Sequence, residues 1–158
     1  MGKEKLTYRE TGVDNKKEEL ALKNLANWTQ KTFTFRGERG SIKLQLGYFA
    51  NVIDIGHNKG LAISTDGVGT KILIAQLMNR YDTIGIDCVA MNVNDILCVG
   101  AEPISMVDYL AVSQPDPDLL HQIGKGLYEG AEIARINIPG GEIAEVKERI
   151  KGERYGFE

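Results

Sequence analysis

The sequence predicts one domain that mixes helices and strands, and three observations support it. An apolar run at 61–65 leads into a glycine turn, after which apolar residues recur with helical spacing from Ile72 to Met78. A second helical pattern follows at 82–99, with Gly100 as its stop signal. A strand-like run at 104–112 then precedes a helical segment at 118–134. With 158 residues, the chain is long enough for one such domain with its own core.

Composition indicates a soluble, cytoplasmic protein. Apolar residues make up 42% of the chain, charged residues 26%, and the net charge is -3, so no global basic field would attract nucleic acid or an anionic membrane. No apolar stretch approaches the roughly 20 residues of a membrane span, and the first residues lack the apolar core of a secretion signal. Cys88 and Cys98 are expected to be reduced thiols, and the isolated His57 and His121 do not suggest zinc.

The N-terminal third predicts a helix and a loop. Asp14-Asn15 could cap a helix whose outer face is rich in lysine and glutamate. The apolar residues expected to face a core are Leu20, Leu22, Leu25, Ala26 and Trp28. The basic, glycine-spaced stretch at 31–47 could be a flexible segment that covers a ligand or a plain surface loop, and its composition favours the loop.

The most informative segment is the turn Asp66-Gly67-Val68-Gly69-Thr70-Lys71, which lies between a predicted strand and a predicted helix. Its backbone N–H groups, the helix N-terminus and Lys71 suit phosphate, whereas Asp66 suits phosphate only through a metal ion. The order of residues fits neither a P-loop nor the dinucleotide fingerprint G-x-G-x-x-G. An ordinary strand-to-helix turn, capped by the aspartate, remains an alternative for these six residues.

Further polar residues lie in otherwise apolar segments. Asp87, Asn94 and Asp95 interrupt the helical pattern at 82–99, where a solvated stripe, buried hydrogen bonding or a functional site would each explain them. Glu142 follows Pro139-Gly140-Gly141, which predicts a second strand-end glycine turn. If Asp66, Asp95 and Glu142 converge on an anionic ligand, hard cations must lie between them, and Mg²⁺ with a nucleotide fits that need.

Two further patterns predict features of the structure. Gly124, Gly126 and Gly130 weaken the helix at 118–134 by roughly 1 kcal/mol each, which close packing of another backbone would explain. Tyr155 and Phe157 alternate as in a half-buried strand just before the last residue. A truncated chain, or one subunit of a split protein, is therefore expected.

The chain resembles the N-terminal domain of the phosphoribosylformylglycinamidine cyclo-ligase family, also called aminoimidazole ribonucleotide synthetases. The resemblance rests on ordered segments over residues 8–145, nearly the whole chain. They are Tyr8-Arg9-Glu10-Thr11-Gly12-Val13-Asp14, Ser64-Thr65-Asp66-Gly67-Val68-Gly69-Thr70-Lys71, Asp82-Thr83-Ile84-Gly85-Ile86-Asp87, Val89-Ala90-Met91-Asn92-Val93-Asn94-Asp95, Gly100-Ala101-Glu102-Pro103, Asp108-Tyr109 and Gly140-Gly141-Glu142-Ile143-Ala144-Glu145. The glycine motif alone is shared with a wider superfamily, which includes formylglycinamidine ribonucleotide synthetase and thiamine monophosphate kinase.

The resemblance implies an α+β fold, with a four-stranded sheet backed by helices that pairs with a second copy into an eight-stranded barrel in a homodimer. Residues 1–158 would form the ATP-binding domain, and the family's C-terminal domain is absent. The implied activity is a step of purine biosynthesis. ATP activates the amide oxygen of formylglycinamidine ribonucleotide, an internal nitrogen closes the imidazole ring, and ADP and phosphate are released. The sequence departs from the family pattern in two segments. Residues 46–51 replace a usual Gly-Gly-Phe-Gly run, and within 143–147 Ile143 replaces a threonine and Val146-Lys147 replace Met-Pro. Substrate contacts expected from these segments are affected.

The resemblance also implies roles for individual residues. Lys71 and Asp66 would act in catalysis, and Asp66, Asp95 and Glu142 would bind Mg²⁺. ATP would contact Gly67, Val68, Gly69, Thr70, Lys71, Asn94 and, by a looser match, Lys31. Two alternatives stay open: a superfamily relative that uses ATP on another substrate, such as a formylglycinamidine ribonucleotide synthetase or a thiamine monophosphate kinase-like enzyme, and a dimerisation module that is inactive alone.

Overall fold

The structure is a computed structural model that describes residues 15–146. Within this range the chain divides into two units, one of residues 15–47 with 52–61 and one of residues 48–51 with 62–146. The helices are α1 (Asn15–Thr29), α2 (Lys71–Met78), α3 (Ile84–Cys98) and α4 (Pro117–Ala134), with a 3-10 helix at Gln30–Phe35. The strands are β1 (Asn51–Gly56), β2 (Lys59–Ile63), β3 (Asp108–Val112) and β4 (Gly141–Glu145).

The first unit contains α1, the 3-10 helix and most of the β1–β2 hairpin. His57 and Asn58 join the two strands with φ angles of 55° and 57°, as in the tight turns that suit a hairpin. Ile42 forms an isolated antiparallel bridge with Ile53, and the Lys43 ammonium lies 2.7 Å from the Asp54 carboxylate. The predicted loop at 31–47 therefore begins as a 3-10 helix and ends by pairing with β1.

The prediction that the apolar face of α1 packs against a core is wrong. Leu20, Leu22 and Leu25 are about 60% exposed, and Trp28 is 71% exposed. Spacing identified the helix and its apolar stripe, but it contains no information about which element covers that stripe. The proposed cap at Asp14 lies outside the described residues, as do Tyr155 and Phe157.

The second unit contains the buried core. Parallel strands β3 and β4 pair from Asp108 with Gly141 through Val112 with Glu145, and α4 forms the connection between them. Asp116 caps α4 by accepting a hydrogen bond from the Leu119 N–H, and Pro117 is the first helical residue, as in many helix starts. The core comprises Ile72, Ala75, Tyr81, Ile84, Val112, Leu119 and Ile123.

Helices α3 and α4 cross at glycines. A methyl group on Gly126 would lie 2.5 Å from the Asp82 carbonyl oxygen, and one on Gly85 would overlap the Leu127 backbone nitrogen. Gly130 faces Val89 in the same way, whereas Gly124 has open space around it. Close packing thus explains two of the three glycines that weaken α4, and the expectation was wrong for Gly124.

The α+β class is confirmed, but the described strands form two separate two-stranded sheets rather than one four-stranded sheet. One sheet pairs β1 with β2, and the other pairs β3 with β4. Residue patterns indicate where strands lie but not which strands share hydrogen bonds, so the sequence could not separate these arrangements. The predicted strand at 104–112 is shorter and starts at Asp108.

No helix in residues 15–146 is long and apolar enough to cross a membrane.

Candidate functional site

The glycine turn lies between β2 and α2, as the sequence predicts. Gly69 has φ = 70°, a left-handed conformation that glycine adopts at little cost. Asp66 accepts a hydrogen bond of 2.8 Å from the Gly67 N–H. Thr70 is the N-cap of α2 and makes no side-chain capping bond. The Ile72 and Leu73 N–H groups donate to the Gly69 and Thr70 carbonyls at 3.2 and 3.1 Å, so it is the N–H groups before Ile72 that this segment can offer to an anionic ligand.

Asn92 on α3 holds this turn in place. Its amide nitrogen donates to the backbone carbonyls of Asp66 at 3.1 Å and Cys88 at 3.0 Å. Its side-chain oxygen accepts from the Asp66 N–H at 3.1 Å, so both backbone groups of Asp66 bind one side chain. Ser64 adds a longer bond of 3.4 Å to the Asn92 carbonyl. The position of Asp66 is therefore set by α3 as well as by the turn.

Lys71 binds a second residue of α3. Its ammonium lies 2.5 Å from Asp87 Oδ1, and the side chains are 60% and 29% exposed, respectively. Asp87 lies in the first turn of α3, where a carboxylate is favoured by the helix dipole. Asp87 therefore forms a partly exposed ion pair rather than the buried hydrogen bond that was one of its three explanations from sequence, and a role in a functional site stays a prediction.

A cavity of about 400 Å³ opens beside the turn. This volume is within the usual range for small-molecule sites. Its lining is mainly apolar, with a few polar side chains. The lining residues are Thr65, Asp66, Gly67, Val68, Ile72, Ile84, Gly85, Cys88, Asn92, Met106, Val107, Asp108, Tyr109, Leu110, Ile123 and Leu127. The turn, α3, α4 and the segment that includes β3 therefore share one concave surface.

Two carboxylates affect the pKa of the Cys88 thiol, which lines the cavity. Burial raises the pKa of the Cys88 thiol, and the negative charges of Asp108 and Asp66 raise it further. The two carboxylates therefore act on the same cavity residue from different elements. Asp108 was part of a matching segment but had no predicted role, although its spacing from Leu110 and Val112 places it on the core side of β3.

The predicted site residues are only partly brought together. Asp66, Gly67 and Val68 line the cavity, and Asp95 lies one helical turn beyond Asn92, the residue that binds Asp66. Asn94 is exposed and lies off that helix face. Lys31 belongs to the first unit, where its ammonium lies 3.7 Å from the centroid of the Trp28 ring.

Glu142 is placed differently from the expected turn position. Gly140 directly precedes β4 and Gly141 begins it, instead of ending a strand, and Glu142 lies within β4 opposite Tyr109. Because neighbouring residues of a strand point to opposite faces, Glu142 and Asp108 lie on different faces of the β3–β4 sheet. Across residues 15–146, no three side chains of histidine, cysteine, aspartate or glutamate gather as a metal-binding group. The role of Glu142 stays a prediction.

The donor chemistry at the turn nevertheless suits magnesium. Asp66 and Asp95 would supply hard carboxylate oxygens, and Mg²⁺ in nucleotide sites usually takes only one or two carboxylates together with phosphate oxygens and water. A magnesium ion that arrives with a nucleotide therefore does not need a preformed group of three protein ligands.

The chain is similar to proteins of one family. A family model described as AIR synthase related protein, N-terminal domain, matches residues 47–154. The phosphoribosylformylglycinamidine cyclo-ligase of Thermococcus gammatolerans is 52% identical over 148 residues, which are 93% of this chain and 44% of the relative. The protein of the same name from Pyrococcus horikoshii is 51% identical over 151 residues with the same coverage.

A methanogen relative gives the same result. The phosphoribosylformylglycinamidine cyclo-ligase of Methanobrevibacter smithii is 51% identical over 146 residues, which are 92% of this chain and 42% of the relative. The chain thus spans less than half the length of the curated relatives it matches. The resemblance seen in the motifs is confirmed: the chain belongs to the family of AIR synthase related proteins, as an N-terminal domain of that family.

Proposed function

We propose that this chain is the nucleotide-binding part of a phosphoribosylformylglycinamidine cyclo-ligase, an ATP-dependent enzyme of purine biosynthesis in the cytoplasm. The observation that carries the proposal is identity of about one half to proteins of that name over more than nine tenths of the chain. The cavity beside the glycine turn supports it, because the turn supplies the groups that phosphate requires.

The reaction needs an activated oxygen and a folded substrate. ATP would phosphorylate the amide oxygen of formylglycinamidine ribonucleotide, and an internal nitrogen would then attack that carbon and expel phosphate. The ring closes within one molecule, so holding the substrate in its reactive conformation supplies much of the acceleration. The activated oxygen leaves more readily because phosphate is a far better leaving group than the oxygen of an amide.

The chain's own groups would hold the nucleotide. The N–H groups at the start of α2 and the Lys71 ammonium would bind phosphate oxygens, and Gly67, Val68, Gly69 and Thr70 would form the turn around them. Asp66 and Asp95 would hold Mg²⁺, with Glu142 and Asn94 as further candidates. Mg²⁺ would neutralise the charge that develops on the transferred phosphoryl group. Asn92 would position Asp66 through its two bonds to that residue's backbone.

The assembly we propose is a homodimer completed by a C-terminal domain. Exposed apolar side chains occur on both sheets, among them Leu61 and Ile63 of β2 and Tyr109 of β3. Faces of this kind commonly mark interfaces. In that homodimer the four strands of each copy would join one eight-stranded barrel, which would cover these faces and remove open strand edges. Lys31 is a further candidate for contact with ATP, as the family resemblance implies.

The test is ring formation by the reassembled enzyme. The chain would be combined with a separately produced C-terminal domain from the Thermococcus gammatolerans relative, with MgATP and formylglycinamidine ribonucleotide. Aminoimidazole ribonucleotide would be detected as its diazo dye, and ADP in a parallel assay. We expect both products in equal amounts, and none when Lys71 is replaced by alanine.

Other outcomes discriminate the alternatives. ADP formation only with a different acceptor would contradict the cyclo-ligase assignment and favour another superfamily enzyme. Neither product, together with no binding of MgATP to the chain by calorimetry, would favour a dimerisation module. Sedimentation of the chain would test the dimer separately, with a monomer at micromolar concentration counting against it.

A further inference from the structure

The cavity contains a carboxylate that the phosphate chemistry leaves without a role. Asp108 begins β3 and lines the cavity together with residues of α3 and α4. It lies on the same strand face as Leu110, which packs against the core, and Val112, which is fully buried. Apolar residues are the usual occupants of such a face, so a charged group there requires a specific explanation.

Asp108 has no compensating group within residues 15–146. Its side chain is half-buried, and no described side chain or backbone N–H forms a hydrogen bond or ion pair with its carboxylate. Its register partner on β4 is Gly141, where an added methyl group would overlap Asp108 Oδ1. The glycine therefore makes room for the carboxylate without neutralising it. The carboxylate oxygens are not sealed from solvent, so they can bind a ligand that enters the cavity.

The walls around Asp108 restrict what that partner can be. Ile123 and Leu127 of α4 and Ile84 of α3 line the same cavity and offer only apolar surface. A hard cation needs several oxygen ligands, and no three-residue metal group exists in the described chain. A flat organic cation fits better, because its two N–H groups can bind one carboxylate while its faces pack on apolar side chains.

We propose that Asp108 binds the amidine group of the substrate in its protonated form. This proposal rests on the proposed function, in which the substrate is an amidine ribonucleotide. The glycine turn around Asp66 and the start of β3 at Asp108 are different elements that line the same cavity. Anchoring the amidine would hold the attacking nitrogen near the activated carbon while the nucleotide is held at the turn. As that nitrogen attacks, the amidinium would release a proton to the Asp108 carboxylate, which restores the nitrogen lone pair. Asp108 is thus a substrate-binding residue that selects an amidine over the corresponding amide.

Cys88 reports occupancy of the cavity in the chain itself. It lines the cavity, whereas Cys98 is exposed at the end of α3 and serves as an internal control. The alkylation rate of each cysteine by iodoacetamide would be followed by peptide mass spectrometry. The probes are formylglycinamidine ribonucleotide and its amide counterpart, formylglycinamide ribonucleotide, with acetamidinium and acetamide as smaller probes. Protection is expressed as the ratio of rates with and without probe within each variant, so that a change in Cys88 reactivity caused by the substitution itself cancels.

We expect the amidine ribonucleotide to protect Cys88 at a concentration about tenfold lower than the amide ribonucleotide, since a charge-assisted pair is lost with the amide. Asp108→Asn should abolish this preference, and Asp118→Asn, an exposed aspartate outside the cavity, should retain it. The Cys98 rate should not change. Equal protection by amidine and amide, no protection by either, or an unchanged preference in Asp108→Asn would overturn the proposal.

Two features of the design keep this test independent of the folding of the variant and of the proposed activity. If Asp108→Asn fails to fold, as judged by circular dichroism, the wild-type comparison of acetamidinium with acetamide still decides the proposal. Ring formation by the reassembled enzyme together with equal amide and amidine protection would refute the role of Asp108 alone. Protection selective for the amidine without ring formation would refute the proposed activity alone.

Discussion

The Lys71 ammonium lies 2.5 Å from Asp87 Oδ1, so the lysine of the glycine turn is bound to the first turn of α3. The lysine side chain is 60% exposed, and pairs with this exposure typically contribute only about 0–1 kcal/mol to folding. The pair therefore matters less for stability than for where the Lys71 ammonium is held. A lysine bound to a carboxylate is partly neutralised as a phosphate ligand.

Asp87→Asn should strengthen the binding of MgATP by about three- to tenfold, because the lysine's charge becomes fully available to phosphate. The folding cost should stay within about 1 kcal/mol. Calorimetry of the chain with MgATP and thermal melting measure the two effects. Asp82→Asn, which breaks the Arg80 pair at 2.7 Å instead, is the matched control. Weaker binding in Asp87→Asn would show that Asp87 positions Lys71 rather than competing for it.

Asn92→Ala should loosen the glycine turn. The variant loses the side-chain bonds to both backbone groups of Asp66 and to the Cys88 carbonyl. We expect a loss of about 1–3 kcal/mol in unfolding free energy and faster amide hydrogen exchange at Asp66. Asn94→Ala, at an exposed position of the same helix, controls for helix propensity in the denaturation measurement. Unchanged exchange at Asp66 would contradict the role of Asn92 as the residue that fixes the turn.

Local patterns predicted the helices well and side-chain partners less well. Spacing located α2, α3 and α4 because each repeats apolar residues at helical intervals and ends near glycine, asparagine or arginine in a left-handed conformation. The same spacing could not show that the apolar stripe of α1 stays exposed, since covering it depends on residues distant in sequence.

The candidate site was likewise predictable from sequence only in part. The turn was predictable because glycines, a lysine and an aspartate lie within six consecutive residues. The bonds of Asn92 to Asp66 span 26 residues, and local spacing contains no information about such pairs. Asp108 could have been found, because strand alternation places it on the same face as Leu110 and Val112.

Asp95→Asn should weaken the binding of MgATP far more than it affects folding. Asp95 lies one turn beyond Asn92 on α3, and a magnesium ligand that loses its charge binds the ion poorly while keeping its shape. We expect at least a tenfold loss of affinity in the presence of Mg²⁺ and little change when EDTA is present. A large fall in melting temperature without ligand would instead make Asp95 a structural residue.

Gly126→Ala and Gly124→Ala should have opposite effects on stability. The methyl group at 126 would lie 2.5 Å from the Asp82 carbonyl oxygen, where backbone must move, so we expect a loss of about 1–3 kcal/mol or more. The methyl group at 124 meets open space, and alanine is the better helix former, so a gain of about 0.5–1 kcal/mol is expected. Urea denaturation of both variants checks this, and similar losses in both would contradict the observed crossing of α3 and α4.

The reactivity of Cys88 should depend on pH in a way that the cavity's charge determines. Burial and the charges of Asp108 and Asp66 raise the thiol's pKa above its ordinary value, so the folded chain holds this proton more tightly than the unfolded chain does. Because only the thiolate is alkylated, the rate in the folded chain should start to rise at a higher pH than in urea, where the pKa is ordinary. Asp108→Asn removes one of the charges and should move the folded profile back toward lower pH. Iodoacetamide labelling between pH 7 and 10 measures this shift, and coincident profiles for the wild type and Asp108→Asn would show that the Asp108 charge does not reach the thiol.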